Sequence, residues 1–181
     1  MISENVLFDA ELSYWDQVDH HDYKGNFEGY AKRWLMIKYF LSPTDSYTLV
    51  KNFRKLKKSL ALAVAVINVG NQYLLVKTTG RPYFEFPGGK IMPGEDSLDA
   101  TIRELKEETG IIVNKEDSKE LILPQVHKRK IYCYMWTFKE TLQVVPPNPY
   151  EIIDVAWIKK EDLDHETKNS YASQLINQLI L

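Results

Sequence analysis

Between Gly88 and Ile111 the chain reads GGKIMPGEDSLDATIRELKEETGI, twenty-four residues that hold six carboxylates behind a pair of glycines. Helical spacing sorts them. At about 100° per residue, Glu104, Glu107 and Glu108 share one face, while Leu98, Ile102 and Leu105 gather on a neighbouring one. The apolar face fastens the helix and the acidic face is presented. Carboxylates at i, i+3 and i+4 repel by roughly a few tenths of a kcal/mol per pair in an isolated helix, so the trio predicts a cationic partner. Hard oxygen donors suit Mg²⁺ or Mn²⁺, ions that bridge substrate phosphates to a few protein carboxylates. The expectation is a divalent-metal and diphosphate site, whereas an ordinary acidic helical run is only a solvated face. Gly88 and Gly89 are expected to turn sharply and bring backbone to the metal. Pro93-Gly94 closes the loop, Asp96 or Ser97 caps the helix, and Gly110 ends it in a left-handed conformation.

The residues run without a gap as Gly89, five residues, Glu95, seven residues, Arg103-Glu104-Leu105, one residue, Glu107-Glu108, one residue, Gly110-Ile111. This resembles the Nudix box of the Nudix hydrolases at every defining position. The resemblance implies a loop-helix-loop that binds divalent metal and hydrolyses a nucleoside diphosphate linked to some moiety X. It places Glu104, Glu107 and Glu108 as metal ligands, the Gly88 carbonyl as a further ligand, and Glu95 with Arg103 as the pair that orients them. The later segment Glu151-Ile152-Ile153-Asp154-Val155-Ala156-Trp157 is similar to the stretch that follows the box in related enzymes. By that similarity Glu151 is the candidate base or an additional metal ligand; an edge-strand carboxylate is the alternative.

Periodicity shows what must position these residues. Residues 4 to 58 read as helical, with an apolar stripe Phe27, Tyr30, Ala31, Trp34, Ile37 and Leu41, a stop at Ser42-Pro43, and a second helix carrying Tyr47, Val50, Phe53 and Leu56 inward. From Leu60 the period changes. ALAVAVINV reads as a buried strand, Gly70-Asn71 as a turn and YLLVKT as the returning strand; Ile111 to Val113 starts another, and alternation resumes over Arg129 to Lys139 and Ile152 to Ile158. Ser170 to Leu181 reads as a closing amphipathic helix. The expected architecture is α+β: an all-helical N-terminal domain over 1–58, then a domain over 59–181 built as an α/β/α sandwich around a mixed sheet, the fold of Nudix enzymes.

Composition narrows the class. With 44% hydrophobic and 12% aromatic residues in 181, the chain can bury a core. Its 23 basic and 25 acidic residues give a net charge of −2, so contact with nucleic acid would rest on local patches. Cys133, the single cysteine, excludes an intramolecular disulfide and fits a reducing setting. No stretch reaches the roughly 18 apolar residues of a membrane span and the N-terminus lacks a signal pattern, so the expectation is a cytoplasmic protein without a membrane partner.

The flanks bear on X. The segment Glu11 to Asp19, ELSYWDQVD, followed by FEGYAKRWL, resembles the N-terminal helical domain of the catalytic subunit of the eukaryotic mRNA decapping enzyme. An indole can stack on a methylated, positively charged guanine, a cation–π term of about 1 to 2 kcal/mol, while a carboxylate accepts the guanine edge N–H groups. Trp15 and Asp19, one helical turn apart, are the candidate cap readers; core packing of Trp15 and a surface position for Asp19 are the alternative. Lys51, Arg54, Lys55, Lys57 and Lys58, and later His127, Lys128, Arg129 and Lys130, are candidate RNA contacts that could equally be solvated faces. The implied activity is hydrolysis of the triphosphate bridge of capped RNA, with the linker around Lys57, Lys58, Ser59 and Leu60 as a hinge. A small-molecule Nudix pyrophosphatase and a non-enzymatic RNA-binding subunit stay open as other classes. Two departures stand out: decapping subunits usually carry a basic residue where this chain has Gly88, and Pro93-Gly94-Glu95 is the commoner Nudix turn. Only ten residues precede Glu11, whereas the decapping family has further N-terminal sequence that meets its activator, so an activator partner stays open.

Overall fold

The structure, a computed structural model, describes residues 6–7, 27–122, 130–146, 151–167 and 175. Two compact units divide the chain, Met1–Leu60 and Ala61–Leu181.

In the first unit, helices α1 (Phe27–Tyr39) and α2 (Pro43–Ser59) form a hairpin. Phe40 adopts a positive φ of 53°, which ends α1 before Leu41. Ser42 then caps α2: its hydroxyl accepts from the Asp45 amide at 3.1 Å and donates to the Asp45 carboxylate at 2.6 Å, with Pro43 opening the helix. The buried faces match the expected stripes in part, Ala31, Val50 and Phe53 being buried as expected. Ala31 and Leu35 are buried on α1, and Ser46, Val50 and Phe53 on α2, whereas Ile37 and Tyr47 are 75% and 54% exposed. Lys57, Lys58 and Ser59 belong to the last turn of α2, so the segment expected to hinge is helical up to Leu60. Trp15 and Asp19, and the rest of residues 8–26, lie outside the described residues.

The second unit is a six-stranded mixed sheet. Its strands are β1 (Leu62–Val69), β2 (Gln72–Thr78), β3 (Gly88–Lys90), β4 (Lys119–Leu121), β5 (Ile131–Phe138) and β6 (Ile152–Lys159). The order is β4-β5-β1-β2-β6, with β3 on β1. β1 and β5 run parallel in unbroken register from Leu62↔Ile131 to Val69↔Phe138, and the other pairs are antiparallel. The β-branched runs of β1 are buried on both faces, as a central strand requires. Val64, Val66, Tyr73, Leu75, Phe86 and Cys133 pack on one face with Leu163 and Leu175; Ala65, Ile67, Leu74, Tyr134 and Trp136 pack on the other with Leu105 and Ile111. Helix α3 (Ser97–Thr109) covers that second face through Leu105, joined by the half-buried Leu98 and Ile102. A one-turn helix α4 (Leu163–Glu166) follows β6. Among the described residues no helix is long and apolar enough to cross a membrane.

Two expectations need correction. Ile111–Val113 does not start a strand: Ile111 is buried in the core, Ile112 is 75% exposed, and the next strand is β4, antiparallel to β5 and entered after a 3₁₀ turn over Lys115–Asp117. The Trp136 indole N–H donates to the Asn114 carbonyl at 2.9 Å, which holds this connection against β5. Gly88 and Gly89 do not form a turn either. They are extended, in strand β3, opposite Val64 and Ala63. The reading of Ser170 to Leu181 falls outside the described residues except for Leu175, which is helical and buried.

Candidate active site

The site begins with a division along β1. Its last residues pair with β2, as Asn68↔Tyr73 and Val69↔Gln72, while its first residues pair with β3 on the same side. Strand β2 therefore diverges from β1, and the run from Glu85 to Lys90 fills the opening, bonded to Val76 on one side and to Ala65 through the Pro87 carbonyl on the other. At two positions the fit leaves no room for a side chain. A Cβ on Gly88 would collide with the Ala63 carbonyl, and one on Gly89 would collide with the Glu104 carboxylate. The glycines are needed for close approach, of β1 in one case and of the acidic helix in the other.

After β3 the chain turns at Gly94, with φ of 83°, and enters α3. Asp96 is the cap, its Oδ1 accepting from the amides of Leu98 at 2.9 Å and Asp99 at 3.3 Å. Gly110, at φ of 73°, closes the other end. Ser97 Oγ and Tyr134 Oη are 2.7 Å apart, tying the start of the helix to β5.

Arg103 organises the acidic face. Its Nε and Nη2 donate to the two oxygens of Glu95 at 2.8 and 3.0 Å, its Nη1 to Glu104 at 2.8 Å and Glu107 at 3.0 Å, and its Nη2 also to the Lys90 carbonyl at 3.1 Å. All five guanidinium hydrogens have a partner. Burial opposes the charge on Arg103, yet the carboxylates outweigh it and raise its pKa. Burial also works against an ionised Glu95, but the bonds from Arg103 and the Met92 amide prevail and lower its pKa. The expected brace between Glu95 and Arg103 is present.

For Glu104, Glu108 and Glu151 burial prevails instead. Glu108 is buried, and one of its oxygens accepts from the Gly88 amide at 2.9 Å. Burial first, helped by repulsion from Glu104 and Glu151, pushes its pKa up to about 8 despite that bond. Glu104 is raised by burial and by Glu107 and Glu151, against the pull of Arg103; Glu151 is raised by burial and then by Glu107. The Glu151 carbonyl accepts from the Thr79 amide at 2.8 Å, next to the irregularity in β2–β6 pairing at Lys77/Thr78. That break in register sets the residue before β6 beside the helix. Glu104, Glu107, Glu108 and Glu151 thus share one electrostatic neighbourhood, although Glu151 is 43 positions beyond Glu108 in the chain.

Among the described residues no three acidic, histidine or cysteine side chains already converge at metal-ligand spacing. The hydrogen bonds account for this, since Glu104 and Glu107 are held by Arg103 and Glu108 by Gly88. The donor set nevertheless fits a hard divalent cation: several carboxylates, three of them with raised pKa and mutual repulsion, beside the backbone of Gly88.

Of the residues expected to meet RNA, Lys55 is exposed on α2, and Lys57 and Lys58 lie in its last turn. Lys130, just before β5, places its Nζ 4.4 Å from the Tyr132 ring centre; Lys128 and Arg129 lie outside the described residues. Two residues escaped the sequence reading. Glu85 is buried, at 5% exposure, and forms an ion pair with Arg81. An i, i+4 pair signals contact only on a helix, and Arg81 to Glu85 is not one.

A family profile described as the NUDIX domain matches residues 57–179. The chain belongs to the Nudix family. Among relatives, the m7GpppN-mRNA hydrolase of Saccharomyces cerevisiae is 29% identical over 135 residues, covering 72% of this chain and 14% of its own. The 8-oxo-dGTP diphosphatase of Escherichia coli is 33% identical over 84 residues, covering 44% of this chain and 65% of its own. The chain therefore spans less than two thirds of the length of either relative. A Nudix hydrolase family member from Chromobacterium violaceum has the same fold, with a TM-score of 0.54, 23% identity, and coverage of 67% of this chain and 77% of its own. Nudix hydrolases generally use divalent metals such as Mg²⁺ or Mn²⁺.

Proposed function

We propose that this Nudix hydrolase is an mRNA decapping enzyme, cleaving the triphosphate bridge of capped RNA to 7-methylguanosine diphosphate and a 5′-monophosphate RNA. The observation that carries it is the length of the likeness to the yeast m7GpppN-mRNA hydrolase, 72% of this chain against 44% for the 8-oxo-dGTP diphosphatase. The charge of the helical hairpin supports the same reading. Residues 27–59 hold eight basic side chains and two acidic ones in a chain whose net charge is −2, a local cationic surface suited to phosphate backbone.

Residue roles follow from the geometry. Glu104, Glu107 and Glu108, with the Gly88 carbonyl, would hold Mg²⁺ or Mn²⁺, and Glu151 would be a further ligand or the base. The bound ion supplies neutralisation of charge on the phosphate bridge. Arg103 keeps Glu104 and Glu107 oriented through its anchor on Glu95. Burial and then Glu107 raise the pKa of Glu151, which favours it as acceptor of a proton from the attacking water at its carboxylate. Trp15 and Asp19 would read the cap.

A second reading, a pyrophosphatase for a small nucleoside diphosphate-linked substrate, draws on the 33% identity to the 8-oxo-dGTP diphosphatase. One experiment separates the two: hydrolysis of cap-labelled RNA with Mg²⁺ or Mn²⁺ by wild type, Glu108→Gln and Trp15→Ala. Release of 7-methylguanosine diphosphate that vanishes in Glu108→Gln and falls in Trp15→Ala is the expected result. No release, with turnover of a small nucleotide indifferent to Trp15→Ala, would replace decapping by the second reading.

A further inference from the structure

Diphosphate substrates bring two or more negative charges to a site that already holds four carboxylates. Arg103 cannot meet them, since its five N–H groups are taken by Glu95, Glu104, Glu107 and Lys90. A second guanidinium stands nearby and is arranged differently. Arg81 has one described side-chain partner, Glu85, which meets its Nη1, and half of the Arg81 side chain is exposed.

The backbone on both sides of this pair is pinned to β2. The Arg81 amide donates to the Thr78 carbonyl at 3.1 Å after the turn at Gly80, and Glu85 exchanges two 2.9 Å bonds with Val76. Glu85 begins the short run that ends at Gly88, whose amide holds Glu108. A buried carboxylate is costly unless paired, and it fixes the guanidinium that neutralises it. Because a guanidinium presents donors in a planar fork, one edge can rest on a carboxylate while others meet phosphate oxygens.

We propose that Arg81 binds a non-bridging phosphate oxygen of the substrate, with Glu85 as the residue that positions its guanidinium. This rests on the diphosphate chemistry of the Nudix site and is independent of what X is. The alternative, that Arg81 only neutralises Glu85, predicts effects on stability and none specific to phosphate.

Titration calorimetry with imidodiphosphate, a non-hydrolysable diphosphate, in excess Mg²⁺ is the test, alongside a Mn²⁺ titration of the same proteins. The variants are Arg81→Lys and the double variant Arg81→Gln/Glu85→Gln, which removes both charges and leaves no buried carboxylate unpaired. The double variant should weaken imidodiphosphate binding about 10- to 100-fold, the range for losing one charge-assisted hydrogen bond, and Arg81→Lys should weaken it less. Affinity for Mn²⁺ should stay within about two-fold in both. In the substrate assay KM should rise more than kcat falls. Unchanged imidodiphosphate affinity in the double variant, or losses of phosphate and Mn²⁺ affinity in step, would overturn the role of Arg81. Failure of the wild type itself to bind imidodiphosphate with Mg²⁺ would overturn the diphosphate reading of the whole site.

Discussion

Metal binding to this protein should be strongly pH-dependent, and Glu108 gives the sign. Its carboxyl, ordinarily titrating near 4.5, titrates near 8 in the metal-free fold because it is buried and repelled by Glu104 and Glu151. Between those two values the folded protein holds a proton that the unfolded chain has released. Stability of the metal-free protein therefore falls as pH rises through that window, and above pH 8 the cost is on the order of 5 kcal/mol at about 1.4 kcal/mol per pH unit, an upper bound if water enters the site. A divalent cation must displace that proton. Apparent Mn²⁺ affinity should then rise about ten-fold per pH unit up to about pH 8 and level off above it. The measurement is a Mn²⁺ titration at pH 6, 7, 8 and 9, with thermal melts of the metal-free protein at each. Glu108→Gln should bind Mn²⁺ weakly with a shallower slope, and should melt above the wild type at pH 9 without metal. An Mn²⁺ affinity indifferent to pH, or a Glu108→Gln protein that melts below wild type at pH 9, would refute the reasoning.

Other predictions follow from single contacts. Gly89→Ala places a methyl against the Glu104 carboxylate, so Mn²⁺ affinity should drop by about ten-fold or more while the circular dichroism spectrum is retained. Gly88→Ala drives its Cβ into the Ala63 carbonyl of a central strand, and chemical denaturation should show a loss of about 2 kcal/mol or more. Arg103→Lys keeps the charge but loses the two-pronged hold on Glu95, so kcat should fall by about 100-fold with KM nearly unchanged, the mark of misplaced ligands rather than lost substrate contact.

The local chemistry of this protein is written in short-range spacing. Glu104, Glu107 and Glu108 lie on one face because a helix repeats every 3.6 residues, and Asp96, Gly94 and Gly110 bound that helix for reasons of cap and turn chemistry that need no tertiary partner. The alternation of β1, β2, β5 and β6 was legible too, since each strand buries two faces or one. Where short-range spacing failed, long-range packing had decided. On α1 and α2 the spacing placed Ala31, Val50 and Phe53 correctly, but which side of each helix is covered depends on its neighbours, and Ile37 and Tyr47 are exposed. Gly88 and Gly89 became part of a strand because β2 diverges from β1 and leaves an edge where, at these two positions, no Cβ fits. Glu151 joined the acidic helix through a pairing irregularity between β2 and β6, and Glu85 met Arg81 in a segment with no helical repeat. The sequence by itself determined which carboxylates share a helix. Only the tertiary structure decided which of them are buried together, because burial and mutual repulsion depend on neighbours far apart in the chain.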